Sequence, residues 1–331
     1  MQPTAIMILG AILFTSGCAA TQSASTPTPK PIPTDTPAPS PTAGLSGTVL
    51  PDLVLEITDP TSPLKTPYGI AVGSNGKLYV NDAGNSRVLV FENSGAIIEE
   101  WDQKGSGDGE FDSLGFGGIA VDSEGNVFVV DNGNHRIQKF DAAGKFLAQW
   151  GSSGIEDGQF VRAIGITTDM QGNVYVTDDG NPFVQKFDNN GQFLMKWGGR
   201  GKGDGQFNHA TGIAVDRQGN VFVADYQNQN VQKFDAQGKF ITSWGTGADI
   251  GVTGTPEGLV VDDQGRVYVT DYALGRIQVF DNDGRLLWAW GTDSLAETLF
   301  HRPTAIALDP AHHQFLVVNQ SSSTVQIFAL P

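Results

Sequence analysis

Eight residues, Tyr68, Arg162, His209, Thr211, Glu257, His301, Arg302 and Thr304, stand just ahead of short apolar phrases that recur along the chain. Gathered at one opening, they would supply a carboxylate, imidazoles, guanidinium groups and hydroxyls, and Asp179, Tyr226 and Tyr272 would join them from neighbouring turns. Convergent polar groups around a concave opening are the usual make-up of a small-ligand site. Left apart, the same residues are ordinary solvated loops. Metal chemistry asks for more, because catalytic zinc normally takes three protein ligands. Only His209 and His301 occupy eligible positions, with Glu257 as a conceivable third ligand. Asp281-Asn282-Asp283-Gly284 has the look of a calcium loop but lacks the downstream bidentate acid that such loops use, and reads as a turn. The glycine-rich stretches GSGDGEF, GIEDGQF and GKGDGQF have no following Lys-Ser/Thr and no helix, so they are not phosphate loops. No serine or cysteine nucleophile with a base partner is discernible.

The elements that must position these residues are set by a repeat. The phrase GIAVD and its variants begin at Gly69, Gly118, Gly165, Gly212, Gly258 and Ala305, a period of about 47 residues. Within a unit, GIAVD is a brief apolar run ended by an acidic turn. NVFVVD is continuously apolar and β-branched, as a strand buried on both faces should be. RIQKF and FLAQW follow, joined by an Asx/Gly turn that recurs as ENSG, DAAG, DNNG, DAQG and DNDG. Six such four-stranded units predict an all-β, six-bladed β-propeller. The sixth unit lacks a fourth strand, and the unassigned segment from Leu53 to Ile57 is expected to supply it, closing the ring and removing an open edge. The residues ahead of each inner strand would then circle the axis on one face, where the loops between the second and third strands also emerge. The opposite, hairpin face would collect acids such as Asp122, Glu124, Asp169, Asp216, Asp262 and Asp309.

The pattern G-I-A-V-D-x-x-G-N-V-[FY]-V-x-D-x-x-N-x-R-[IV]-x-x-F-D-x-x-G resembles the NHL repeat, and the likeness runs from about residue 52 to the end. It implies the fold and leaves function open, because this scaffold hosts unrelated activities. Among similar propellers, the peptide-amidating lyases hold an axial zinc with three inner-strand histidines. The resemblance thus allows zinc or calcium here, while the residues favour no cofactor. The Asp-x-x-Asn-x-Arg motif is whole at Asp82-Asn85-Arg87 and Asp131-Asn134-Arg136, and its repetition assigns it to holding a loop. Trp101, Trp150, Trp197, Trp244 and Trp290 fall at one repeat position and are expected between blades; Trp288 breaks that register and is expected to be more exposed.

Ahead of the repeats, residues 1–18 read as a signal peptide whose apolar run from Ala5 to Phe14 is too short to span a bilayer. It ends in TSGC, which resembles a bacterial lipobox, although Thr15 stands where that motif usually has Leu. Cys18, the chain's single cysteine, would be the lipidated first mature residue. Residues 19–50, rich in Pro, Thr and Ser, form an expected disordered tether, and residues 51–331 the propeller. The protein is accordingly expected to be exported, either lipid-anchored at the cell membrane or at the cell surface.

A net charge of −16 argues against nucleic acid, whose binding needs a basic surface. The reading is a monomeric binding module for a protein, peptide or glycan at a loop face, in contact with membrane only through its anchor. The alternative is a lyase or hydrolase using His209, His301, Glu257, Arg162, Arg302 and a tyrosine.

Overall fold

The computed structural model describes residues 51–58, 63–245, 254–291 and 299–330. The expected signal peptide, Cys18 and the linker through residue 50 lie outside them. Among the described residues, twenty-four strands form six four-stranded antiparallel sheets, each in simple up-and-down order. The blades span 69–101, 119–150, 163–198, 210–244, 256–290 and 303–329. The sixth is completed from the other end of the chain: Leu53–Ile57 pairs antiparallel with Thr324–Ala329, and Ile57 lies opposite Val325.

Burial within a blade follows the residue pattern of each strand. The second strand of blade two, Val127–Asp131, and the third, Arg136–Phe140, are buried throughout. The fourth, Phe146–Trp150, alternates between half-buried and exposed positions, as an outer strand with one packed face must. Towards the axis the sheets converge until side chains no longer fit between inner strands. A Cβ on Gly212 would come 2.5 Å from the carbonyl oxygen of Glu257, so glycine is required there by close backbone approach. One residue on, Ile70, Ile119, Ile166, Ile213, Leu259 and Ile306 line a narrow apolar waist of the axial channel.

Each repeated tryptophan packs between blades. Trp101 lies 5.1 Å from Phe140 of the next blade, and Trp150, Trp197 and Trp244 each lie 5.9 Å from Phe187, Phe234 and Phe280. Trp290 stacks on Phe315 at 4.9 Å. Trp288, expected to be more exposed, is half-buried with the Arg266 guanidinium 5.5 Å from its ring centroid.

A second seam device does not repeat evenly. Blades one, three and five carry Tyr79, Tyr175 and Tyr268 in the second strand, whereas two, four and six carry Phe128, Phe222 and Phe315. Tyr175 and Tyr268 donate to Asp169 and Asp262 of their own first turns, at 3.0 and 3.2 Å. Asp122 and Asp216, whose blades have phenylalanine, accept instead from Asn189 and Asn282 of the following blade, at 2.9 and 3.3 Å. Lys139 and Lys233 grip those same asparagines, with carbonyl distances of 3.3 and 3.1 Å.

The acidic hairpin face needs a correction. Asp122, Asp169, Asp216 and Asp309 are buried, because each closes its own turn. Asp122 Oδ1, for example, accepts the backbone N–H groups of Glu124 and Asn126 at 3.0 and 2.8 Å. Glu124 and Asp263 remain on the surface. The Asp-x-x-Asn-x-Arg motif is a loop clasp. Asp131 Oδ2 accepts from Asn134 at 2.8 Å and from Arg136 Nε at 2.9 Å, and Arg136 also donates to the carbonyls of Ser106, Gly107 and Glu110 in the incoming glycine-rich loop.

Candidate functional site: an aromatic-walled axial cavity

On the loop face the waist opens into a cavity of about 160 Å³. Of the residues singled out by their place in the repeat, Tyr68, Arg162, His209, Tyr226, Glu257 and Tyr272 all line it. The repeat explains why. A residue one step ahead of the inner strand pairs its carbonyl with the backbone N–H just after the second strand: Arg162 with Asp179, His209 with Tyr226, and Thr255 with Tyr272, at 2.9–3.0 Å. Each loop pair is thereby held at the mouth of the axis by main-chain bonds, and its side chains are left free to vary.

Glu257 forms the buried end of the cavity, with 8% of its surface exposed. Its carboxylate accepts a short hydrogen bond from the Tyr68 hydroxyl, linking blades one and five across the position of blade six. Burial pushes Glu257 up from 4.5 to about 7, against the opposing pull of the Tyr68 bond. Burial likewise pushes Tyr68 well above its ordinary value, helped by the neighbouring Glu257 charge. Arg162 is paired with Asp179, and His209 Nε2 lies 3.4 Å from the same carboxylate. Burial, followed by the Arg162 charge, lowers His209, which is therefore neutral at neutral pH. Tyr226 packs 5.2 Å from His209 and 6.2 Å from Tyr272, and Tyr272 donates to Gln320 at 2.9 Å.

The other sequence-selected residues lie elsewhere. Thr211 and Thr304 are buried in the ring, donating to the carbonyls of Pro256 and Tyr68 at 3.2 and 3.0 Å. Asp179 is buried behind Arg162 and His209. His301 and Arg302 line an adjoining surface depression with Tyr272, and the Arg302 guanidinium sits 5.6 Å from the Tyr272 ring centroid. The structure does not gather the two histidines around one space: His209 lines the axial cavity and His301 the adjoining depression. The cause is register, since Arg302, and not His301, is the blade-six counterpart of His209. Among the described residues no group of three or more His, Cys, Asp or Glu is placed to hold a metal ion.

Three lining residues lie outside the sequence selection: Phe116 and Ile164, which are apolar, and Gln320, the blade-six counterpart of Tyr226 and Tyr272. Phe116 is 51% exposed and meets Tyr68 edge-on at 5.5 Å. Its signal lay in the repeat, where a large aromatic replaces the Pro or Ala found at that step in the other blades.

These features define a six-bladed propeller with a small ligand-sized cavity at its axis. A family model described as a six-bladed beta-propeller matches residues 54–150, and the NHL repeat model matches 207–234 and 253–280. The protein is thus a six-bladed β-propeller carrying NHL repeats. No curated protein matches the sequence. Among solved structures it is similar to a streptogramin B lyase, at 14% identity and a TM-score of 0.60, covering 84% of this chain and 97% of that one. A gluconolactonase from Xanthomonas campestris is similar at 17% identity and a TM-score of 0.58, with 80% and 86% covered. A chain from a nidogen–laminin complex follows at 18% identity and 0.54, with 74% and 85% covered. Likeness at these identities is one of fold.

Proposed function

We propose that the propeller is a binding module whose axial cavity receives a small group projecting from a protein, peptide or glycan. The observation that carries this reading is the cavity's size and make-up. At about 160 Å³ it is smaller than the roughly 300–1,000 Å³ of sites that swallow a drug-sized ligand whole. Only a side chain or head group fits, and the remainder of the ligand would lie on the loop face, with the exposed Phe116 ring as an apolar anchor. Ligand-observed NMR on the full chain tests this with methyl glucoside, n-butylamine, n-butanol, choline and butyrate as probes. At least one is expected to bind at millimolar concentration and to be lost in Tyr226→Ala. No binding of any of them to the folded protein would end the reading.

A second reading, an enzyme of lyase or hydrolase type, draws on one feature of the site. Glu257 titrates at about 7, where a general acid–base residue works best, and it touches Tyr68. Hydrolysis of a sugar lactone above the spontaneous rate, lost in Glu257→Gln, would favour it.

Export and anchoring through Cys18 belong to the same proposal, supported by the apolar run and the TSGC motif. Mass spectrometry of the protein from its native membranes should find an N-terminus at Cys18 carrying acyl chains. An unmodified Met1 start there would remove the anchor.

A further inference from the structure

We propose that the group taken into the axial cavity is a primary alkylammonium, of the kind a lysine side chain carries. The inference rests on the binding reading above and names its ligand class.

Three observations converge. First, the walls are aromatic: Tyr68 and Phe116 meet edge-on at 5.5 Å, and Tyr226 and Tyr272 at 6.2 Å, around one small space. Aromatic rings attract cations through their quadrupoles, and more strongly where water is excluded. Arg302 already exploits this at Tyr272, from the neighbouring depression.

Second, among the described residues the cavity holds a carboxylate without a counter-charge. Arg162 is engaged by Asp179, His209 shares that carboxylate and is neutral, and Arg302 lies over Tyr272. The remaining groups near Glu257 are the hydroxyls of Tyr68, Tyr226 and Tyr272. Glu257 is more than nine-tenths buried, lines the space, and among the described residues accepts from Tyr68 alone. An ionised buried carboxylate with one neutral donor is poorly compensated, and a cation entering the cavity supplies what it lacks. A neutral group would leave the charge unanswered, and an anion would oppose it.

Third, hydrogen-bonding capacity selects among cations. A primary ammonium has three N–H donors for the Glu257 carboxylate and the tyrosine oxygens. A quaternary head group has none to offer the carboxylate.

Binding is therefore linked to Glu257 ionisation. The carboxyl is largely protonated below pH 6, so affinity should rise with pH through about 7 and then level off. The test is NMR titration of the full chain with n-butylamine, n-butanol, butyrate and choline. At pH 8, n-butylamine should bind at least tenfold more tightly than n-butanol, weaken about tenfold at pH 5.5, and lose its preference and pH dependence in Glu257→Gln. Equal binding of n-butanol or butyrate would overturn the ammonium assignment while leaving the cavity a binding site. Tighter binding of choline would overturn the primary amine in favour of a quaternary head group. Binding of none of these probes, nor of methyl glucoside, would refute the binding-module reading itself.

Discussion

Glu257→Gln is expected to stabilise the protein by about 3 kcal/mol at pH 8 and to change it little at pH 5. The folded state holds the Glu257 proton up to about 7, whereas the unfolded chain releases it near 4.5. Between those values the folded form binds more protons than the unfolded one. Stability from this group is therefore full below about 4.5 and is lost as pH rises through 7. Glutamine keeps the shape and still accepts from Tyr68, but never acquires the buried charge. Urea unfolding of both proteins at pH 5 and pH 8 isolates the effect from the many surface acids they share. Parallel pH profiles would mean that Glu257 is not an ionising buried group.

Arg136→Met is expected to cost about 3–5 kcal/mol at neutral pH, the usual penalty for stranding one member of a buried ion pair. Asp131 has no exposed surface, and Arg136 Nε reaches it at 2.9 Å. The same guanidinium holds the 105–111 loop through three carbonyls, so its loss should also expose that loop to protease. Arg136→Lys should recover part of the charge pairing but little of the loop protection, because an ammonium cannot span all these acceptors. Thermal unfolding with limited proteolysis decides it; a loss below 1 kcal/mol would show that the clasp is dispensable.

Much of this molecule was legible in its sequence because blades are local objects. Strand order, the buried second strand and the turn chemistry are all contained in one period, and even the closure by Leu53–Ile57 follows from counting strands. Position in the repeat also picks out six of the residues that line the cavity. It failed where a single residue of register matters, as at His301, and where a lining group is not polar, as at Phe116 and Ile164. The Tyr68–Glu257 bond was beyond reach for a different reason. It joins blades that are not adjacent, so no periodicity contains it, and the titration of Glu257 depends on that burial at the axis.

The uneven seams bear on how far one blade can stand in for another. Across blades two to five a turn aspartate is served alternately by the next blade's asparagine and by its own tyrosine, so neighbouring blades there are not interchangeable. Blade six departs from this, with Asp309 meeting its own His312, and blade one has Gly73 in place of the aspartate. The alternation reaches the axis: Tyr68, Ile164 and Glu257, from blades one, three and five, line the cavity, and Gly117, Thr211 and Thr304 from the others do not. From blade two to blade five the chain thus repeats in two-blade segments of about 94 residues rather than in single blades. Within that stretch a two-blade step is the smallest at which blades can be exchanged with these seam contacts still matched.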